Sequence, residues 1–166
     1  MAQGVCLDVG LLTPYHWNHG RGTKLSSPPE QGTESRKNFL TPDYAAIDNE
    51  FFFVRGVLNV PIIGTSEFFR WGIWGSLSRE NFDTLLAIKD DSKRSELPPM
   101  FSWSSSRLPG YPETLNLKMY ANIQKVGSRP HFELQEGDHP RSQEYHHGIT
   151  PERVREIMVR HLREAG

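Results

Sequence analysis

Hydrophobic and polar positions along the chain change period several times, and each change outlines an element. FFFVRGVLNVPII, residues 51–63, is crowded with β-branched and aromatic side chains and has no helical stripe, so it predicts a strand ending near Pro61 and Gly64. EFFRWGIWGSL, residues 67–77, predicts a second strand. Both of its alternations are apolar, with Phe69, Trp71 and Ile73 on one and Phe68 and Trp74 on the other, as in a central strand covered on two faces. A short turn-like segment joins the two strands, so they are expected to pair antiparallel. The clearest alternation is TLNLKMYANIQ, residues 114–124, where Leu115, Leu117, Met119, Ala121 and Ile123 alternate with polar neighbours. Gly127 and Ser128 follow, and they read as a two-residue type II′ turn with glycine first. That turn pairs Ile123 with Phe132, Ala121 with Leu134, Gln124 with His131 and Asn122 with Glu133, which leaves one face apolar and the other polar.

Helices are predicted in three places. Ser78 caps a helix from Arg79 to about Lys89, in which Phe82, Leu85 and Leu86 share a stripe. Pro140 to His147 forms a short helix with Asp138 as its cap and Gly148 beyond its end. The last helix has Thr150 as cap and Pro151 in its first position, and Val154, Ile157, Met158, His161 and Leu162 line one side. Residues 18–37, by contrast, hold one strong hydrophobe, Leu25. Such a composition builds no packed element, so this stretch is expected to be a flexible loop or insert. The pattern as a whole predicts a single α+β domain over residues 1–166. Its antiparallel sheet is expected to hold about four to six strands, with two or three helices packed on one face.

Composition narrows the function classes. Lys and Arg total 19 against 20 Asp and Glu, a formal charge of −1, which argues against a general nucleic-acid binder and against a polybasic membrane anchor. No stretch approaches the length of a membrane span, and the N-terminus lacks a cationic leader, so a cytoplasmic location is expected. The one cysteine, Cys6, excludes an intrachain disulfide and an all-cysteine metal site within one chain. His131, His139, His146 and His147 lie close in sequence among acidic residues, but the spacing does not converge three ligands, so no metal is expected. Ser102, Ser104, Ser105 and Ser106 lack a nucleophile-elbow pattern, and glycine-rich phosphate or dinucleotide motifs are missing, so no cofactor is expected either.

What remains is a set of polar residues in apolar surroundings. Arg55 interrupts FFFVRGVL, and a charge inside so hydrophobic a strand must reach an edge or find an acid. Arg70 beside Trp71 poses the same question. Asp138, His139 and Pro140 form a compact unit in which the aspartate can cap a helix, orient the histidine or pair with an arginine. Arg55, Trp71, Arg129, Asp138 and His139 are therefore predicted to share one neighbourhood, with Arg55 and Asp138 paired and Trp71 as an apolar wall.

Five blocks occur in order: FFFVRGVLNVPI, FRWGIWGSLSRENF, LPGYPETLNLK, RPHFELQEGDHP and HHGITPERVREI. Together they resemble the bacterial domain-of-unknown-function family numbered 2199, from about Leu7 to Ile157. The CxxCG segment that often opens members of that family has no counterpart in this sequence, and Cys6 does not stand for a ribbon cysteine. The resemblance implies no particular activity. The reading that follows is a non-catalytic ligand-binding or protein-interaction module of immunity or accessory type, whose partner is an unknown protein or small molecule. The alternative is a small hydrolase with His139 as general base oriented by Asp138.

Overall fold

The apolar run that begins at Phe51 becomes the longest strand and the hub of the molecule. In the computed structural model residues 8–17, 22–108, 113–137 and 139–165 are described, so the readings made on Cys6 and Asp138 lie outside the described residues. The strands are β1 (Asp8–Gly10), β2 (Thr23–Lys24), β3 (Phe39–Leu40), β4 (Tyr44–Ile47), β5 (Phe51–Pro61), β6 (Phe68–Leu77), β7 (Met100–Trp103), β8 (Lys118–Asn122) and β9 (His131–Leu134). The helices are α1 (Arg79–Ala87), α2 (Pro140–His147) and α3 (Pro151–Ala165).

β5 and β6 pair antiparallel along their full length, from Phe52 opposite Leu77 to Pro61 opposite Phe68. The other edge of β5 is divided between two neighbours. β4 takes its first residues, ending with Tyr44 opposite Val54, and β9 takes over in parallel at Val57 opposite His131. β9 pairs with β8 and β8 with β7, and the chain just past β7 returns to β6 through the bridge between Gly75 and Ser104. The path through β5, β9, β8, β7 and β6 thus closes on itself. β1 lies parallel on the same edge of β6 that makes this bridge, at Arg70 to Gly72, and β3 and β2 extend β4.

The sheet is larger than the sequence pattern predicts: among the described residues it has nine strands and is mixed rather than purely antiparallel. β1, β2 and β3 are only two or three residues long, too short for an alternation of about four to eight positions to register. They join through backbone hydrogen bonds, which demand no hydrophobic face. For this reason β2 can form inside the polar stretch 18–37, where Leu25 N–H donates to Leu40 O at 2.8 Å. A 3-10 turn over Glu34–Lys37 follows, and Arg36 ties it to Pro29 O at 2.7 Å and to Asp83 at 3.3 Å.

The main core fills the inside of the closed path. Phe52, Val54, Leu58 and Val60 of β5 meet Phe69, Trp71, Ile73 and Leu77 of β6, together with Met119, Ala121, Phe132 and Leu134. Two glycines make room for Phe132. A Cβ on Gly75 would overlap the Phe132 ring, Ser102 Oγ and Met119 Cε, and one on Gly56 would overlap the other edge of the same ring. The helices bury their stripes in this same cluster, Phe82, Leu85 and Leu86 from α1 and Val154 and Ile157 from α3. Ser78 Oγ accepts Asn81 N–H at 3.1 Å, and Thr150 Oγ1 accepts Arg153 N–H at 3.1 Å, so both helices start at the residues the sequence nominates. α2 differs. Its cap is His139, whose Nδ1 accepts Arg141 N–H at 3.1 Å, because Pro140 occupies the first helical turn and leaves His139 extended. On the outer face, Phe53 and Trp74 pack with Trp17, Leu40 and Ala45 into a second, smaller cluster.

The β8–β9 hairpin keeps its predicted faces but shifts by two residues. Met119 lies opposite Leu134, Ala121 opposite Phe132 and Asn122 opposite His131. Gly127, at φ 88, occupies the third position of a turn closed by Ser128 N–H on Lys125 O at 3.0 Å. The longer connection has a visible cause. Arg94 holds the carbonyls of Gln124 at 2.8 Å and Ser128 at 2.6 Å, and Pro130 has no N–H to give the ladder. β8 also starts later than its alternation, at Lys118, because Asn116 is left-handed at φ 60 and is anchored by its N–H to Ser104 O at 2.7 Å.

Candidate functional site

Alternation along β5 sends Arg55, Val57 and Asn59 to the outer face, away from the core that takes Val54 and Leu58. Arg55 stands where the edge of β5 passes from β4 to β9. On one side Asp43 O accepts Arg55 N–H at 2.9 Å. On the other, stepping back two residues from the Val57 and His131 pair brings Arg129 alongside. The strand that hydrophobicity predicts and the parallel neighbour it does not predict together set two arginines side by side, flanked by one aspartate.

That aspartate is committed to Arg129, whose Nε donates to Asp43 Oδ1 at 2.8 Å. Arg55 is held differently. Its Nε is buried without a hydrogen-bond partner, and no described residue hydrogen-bonds its guanidinium. Its Nη2 extends towards β1, so that a Cβ on Gly10 would lie 3.0 Å away. Burial lowers the proton affinity of Arg55, the charge of Arg129 lowers it further, and Asp43 opposes both.

Arg55 and Arg129 line a cleft of about 650 Å³ that opens where β4 and β9 diverge, a size suited to a small ligand. Its walls also include Ser26 and Ser27, Lys89 and Asp90, Arg94, and His131. Four of the lining residues are Lys or Arg (Arg55, Lys89, Arg94 and Arg129), against two carboxylates, Asp43 and Asp90. Lys89 pairs with Asp90 at 2.8 Å. Arg94 is 6% exposed and donates to the carbonyls of Lys89, Gln124 and Ser128, which satisfies its hydrogen bonds while leaving its charge uncompensated by any of these partners.

Of the five residues predicted to share one neighbourhood, Arg55 and Arg129 both line this cleft, and the acid paired there is Asp43. Trp71 does not line this cleft: it is wholly buried in the core, edge-to-face with Phe69 at 5.1 Å. His139 does not line it either. Its Nδ1 caps α2 and its Nε2 donates to Glu113 O at 2.6 Å, so both ring nitrogens are occupied in holding the chain. Asp138 lies outside the described residues. Among the described residues no three His, Cys, Asp or Glu side chains are grouped to hold a metal ion. His146 is tied to Leu134 O at 2.9 Å.

Ser76 of β6 and Ser106 of the SWSSS segment serve the seam of the closed sheet. Ser76 Oγ accepts Trp103 N–H at 3.1 Å and Ser106 Oγ accepts Trp74 N–H at 3.0 Å, so hydroxyls replace backbone acceptors where strand pairing is reduced to one bridge. Beyond this seam, Phe101, Trp103 and Tyr120 stay 38–40% exposed on the outer face of β7 and β8. Phe101 stands edge-on to Trp103 at 5.1 Å and to Tyr120 at 5.9 Å.

Sequence reasoning misses Asp43, Lys89 and Arg94. Asp43 carried a signal, since Thr41 Oγ1 accepts the N–H groups of Asp43 and Tyr44 at 3.3 and 2.9 Å, a side-chain turn that the Thr-Pro-Asp sequence encodes. Arg94 carried none. It sits in a run of charged and polar residues that reads as solvated surface.

Fold and cleft define an α+β protein built on a closed mixed sheet, with a cation-lined crevice where one strand changes neighbours. The chain belongs to the family of uncharacterised proteins conserved in bacteria, DUF2199, whose sequence profile matches residues 14–149. The match spans every residue of the cleft and stops before α3. Comparison with curated proteins and with solved structures finds no match. No helix among the described residues is long and apolar enough to cross a membrane.

Proposed function

We propose that this chain is a non-catalytic binding module that takes a small ligand in the cleft beside Arg55 and Arg129. The observation that carries the reading is Arg55, a partly buried arginine beside a like charge whose guanidinium no described residue hydrogen-bonds. A buried charge without hydrogen bonds costs stability, and an arginine kept in that state is ready for an outside partner. The hydrolase reading finds less support, because a general base needs a free ring nitrogen and both nitrogens of His139 are engaged with the backbone.

Equilibrium dialysis of the protein against a pooled bacterial metabolite extract tests the proposal. Wild type should enrich at least one small molecule, and Arg55→Ala should lose it with its melting temperature unchanged. No enrichment by wild type would refute the binding reading. The exposed aromatic cluster of Phe101, Trp103 and Tyr120 favours a second reading, a protein-interaction surface. On that reading Trp103→Ala should abolish binding of a partner identified by crosslinking without changing stability.

A further inference from the structure

Resting on that binding reading, we infer that the ligand carries a phosphate group and that Arg55 and Arg129 hold it. The cation and carboxylate count decides the charge of the ligand. Once Lys89 is matched with Asp90 and Arg129 with Asp43, two guanidiniums remain without an opposite charge, Arg55 at the surface of the cleft and Arg94 in its wall. A phosphate monoester at neutral pH brings close to two negative charges, so one such group answers both.

Donor geometry points the same way. Arg55 Nε is buried, but no described residue hydrogen-bonds its outer nitrogens, and Arg129 uses only Nε on Asp43, so its outer nitrogens remain available. Two guanidiniums on one cleft suit an acceptor with several oxygens better than one with two. The hydroxyls of Ser26 and Ser27 and the exposed ring of His131 stand on the same cleft. A monocarboxylate would be a weaker fit, because Asp43 already supplies Arg129 with a carboxylate and the newcomer would only compete with it.

Inorganic phosphate is the probe. Titrated into the full chain at constant ionic strength and followed by NMR, it should produce saturable shifts at His131 and Arg129, whereas acetate at the same concentration should produce shifts at least tenfold smaller. Arg55→Gln should weaken phosphate binding at least tenfold and Arg129→Gln at least fivefold. Arg55→Lys, which keeps the charge and loses the fork, should fall between wild type and Arg55→Gln. Arg107→Gln, on an exposed arginine outside the cleft paired with Glu113, should bind as wild type does. Equal responses to acetate and phosphate, or wild-type affinity in Arg55→Gln, would overturn the inference. If dialysis enriches an uncharged or carboxylate ligand that Arg55→Ala loses, while phosphate fails to bind, the phosphate inference falls and the binding reading stands.

Discussion

Arg94 and Arg55 line the same cleft but are held in opposite ways, and their substitutions should diverge accordingly. Arg94 is almost sealed from solvent and satisfies three carbonyls from two separate loops. Arg94→Leu would leave those oxygens without donors, so it should lower unfolding free energy by roughly 3 kcal/mol or more in urea titrations. Arg55→Leu removes an unpartnered buried nitrogen and the repulsion between its charge and that of Arg129, so stability should hold or rise slightly. Comparable losses for both would contradict the bonding described for them. Glu113 adds a pH dependence. Its carboxylate accepts Leu115 N–H and pairs with Arg107, each at 3.0 Å, and these contacts hold its proton affinity below the usual carboxylate value. A depressed folded value means that the contribution is complete at neutral pH and fades as pH falls through the folded titration. Glu113→Gln should therefore flatten the acid limb of the stability profile and leave the alkaline limb unchanged.

At the scale of elements, the inner faces of β5, β6 and β9 depend on an absence of side chains at Gly56 and Gly75. Gly75→Ala should cost about 2 kcal/mol or more, since the added methyl meets Ser102, Met119 and the Phe132 ring from a rigid strand. Gly137→Ala, where nothing lies within 4 Å of the new carbon, should be neutral or slightly stabilising. Phe132→Leu should relieve part of the Gly75→Ala penalty, and strict additivity in a double-mutant cycle would show that the two sites do not touch. In β8, Met119→Asp should unfold the protein while Lys118→Asp leaves it nearly unchanged, because Met119 is wholly buried and Lys118 is exposed.

For the whole molecule, closure is uneven around the ring of strands. β5 and β6 share ten paired positions, whereas the return from the end of β7 to β6 rests on one bridge and a few serine hydroxyls. Native-state hydrogen exchange should show the Trp103 and Ser105 amides opening well before those of Val54 and Leu58. Ser106→Ala should speed exchange at Trp74, whose N–H it leaves without an acceptor, more than it lowers global stability. Uniform exchange across seam and hub would mean that the ring opens only as a unit.

The sequence by itself determined the long elements and their faces. β5, β6, α1 and α3 follow from local periodicity and capping, and Met119 and Ala121 of β8, with Ile123 just past its end, are buried as their alternation requires. It also marked Arg55, because a charge in an apolar strand is visible without coordinates, and it named the family, because long ordered blocks of residues survive in the text of the chain. Only the tertiary structure decided the register of the hairpin, which Arg94 sets from a distant segment, and the places of β1, β2 and β3, whose few backbone hydrogen bonds leave no pattern in side chains. It alone brought Asp43 to the two arginines and supplied the parallel pairing, between strands far apart in the chain, that sets them on one cleft, and it took Trp71 into the core. Periodicity reports which side of a strand faces inward; which strand lies beside it is a long-range contact, and one strand's alternation carries no information about its neighbour.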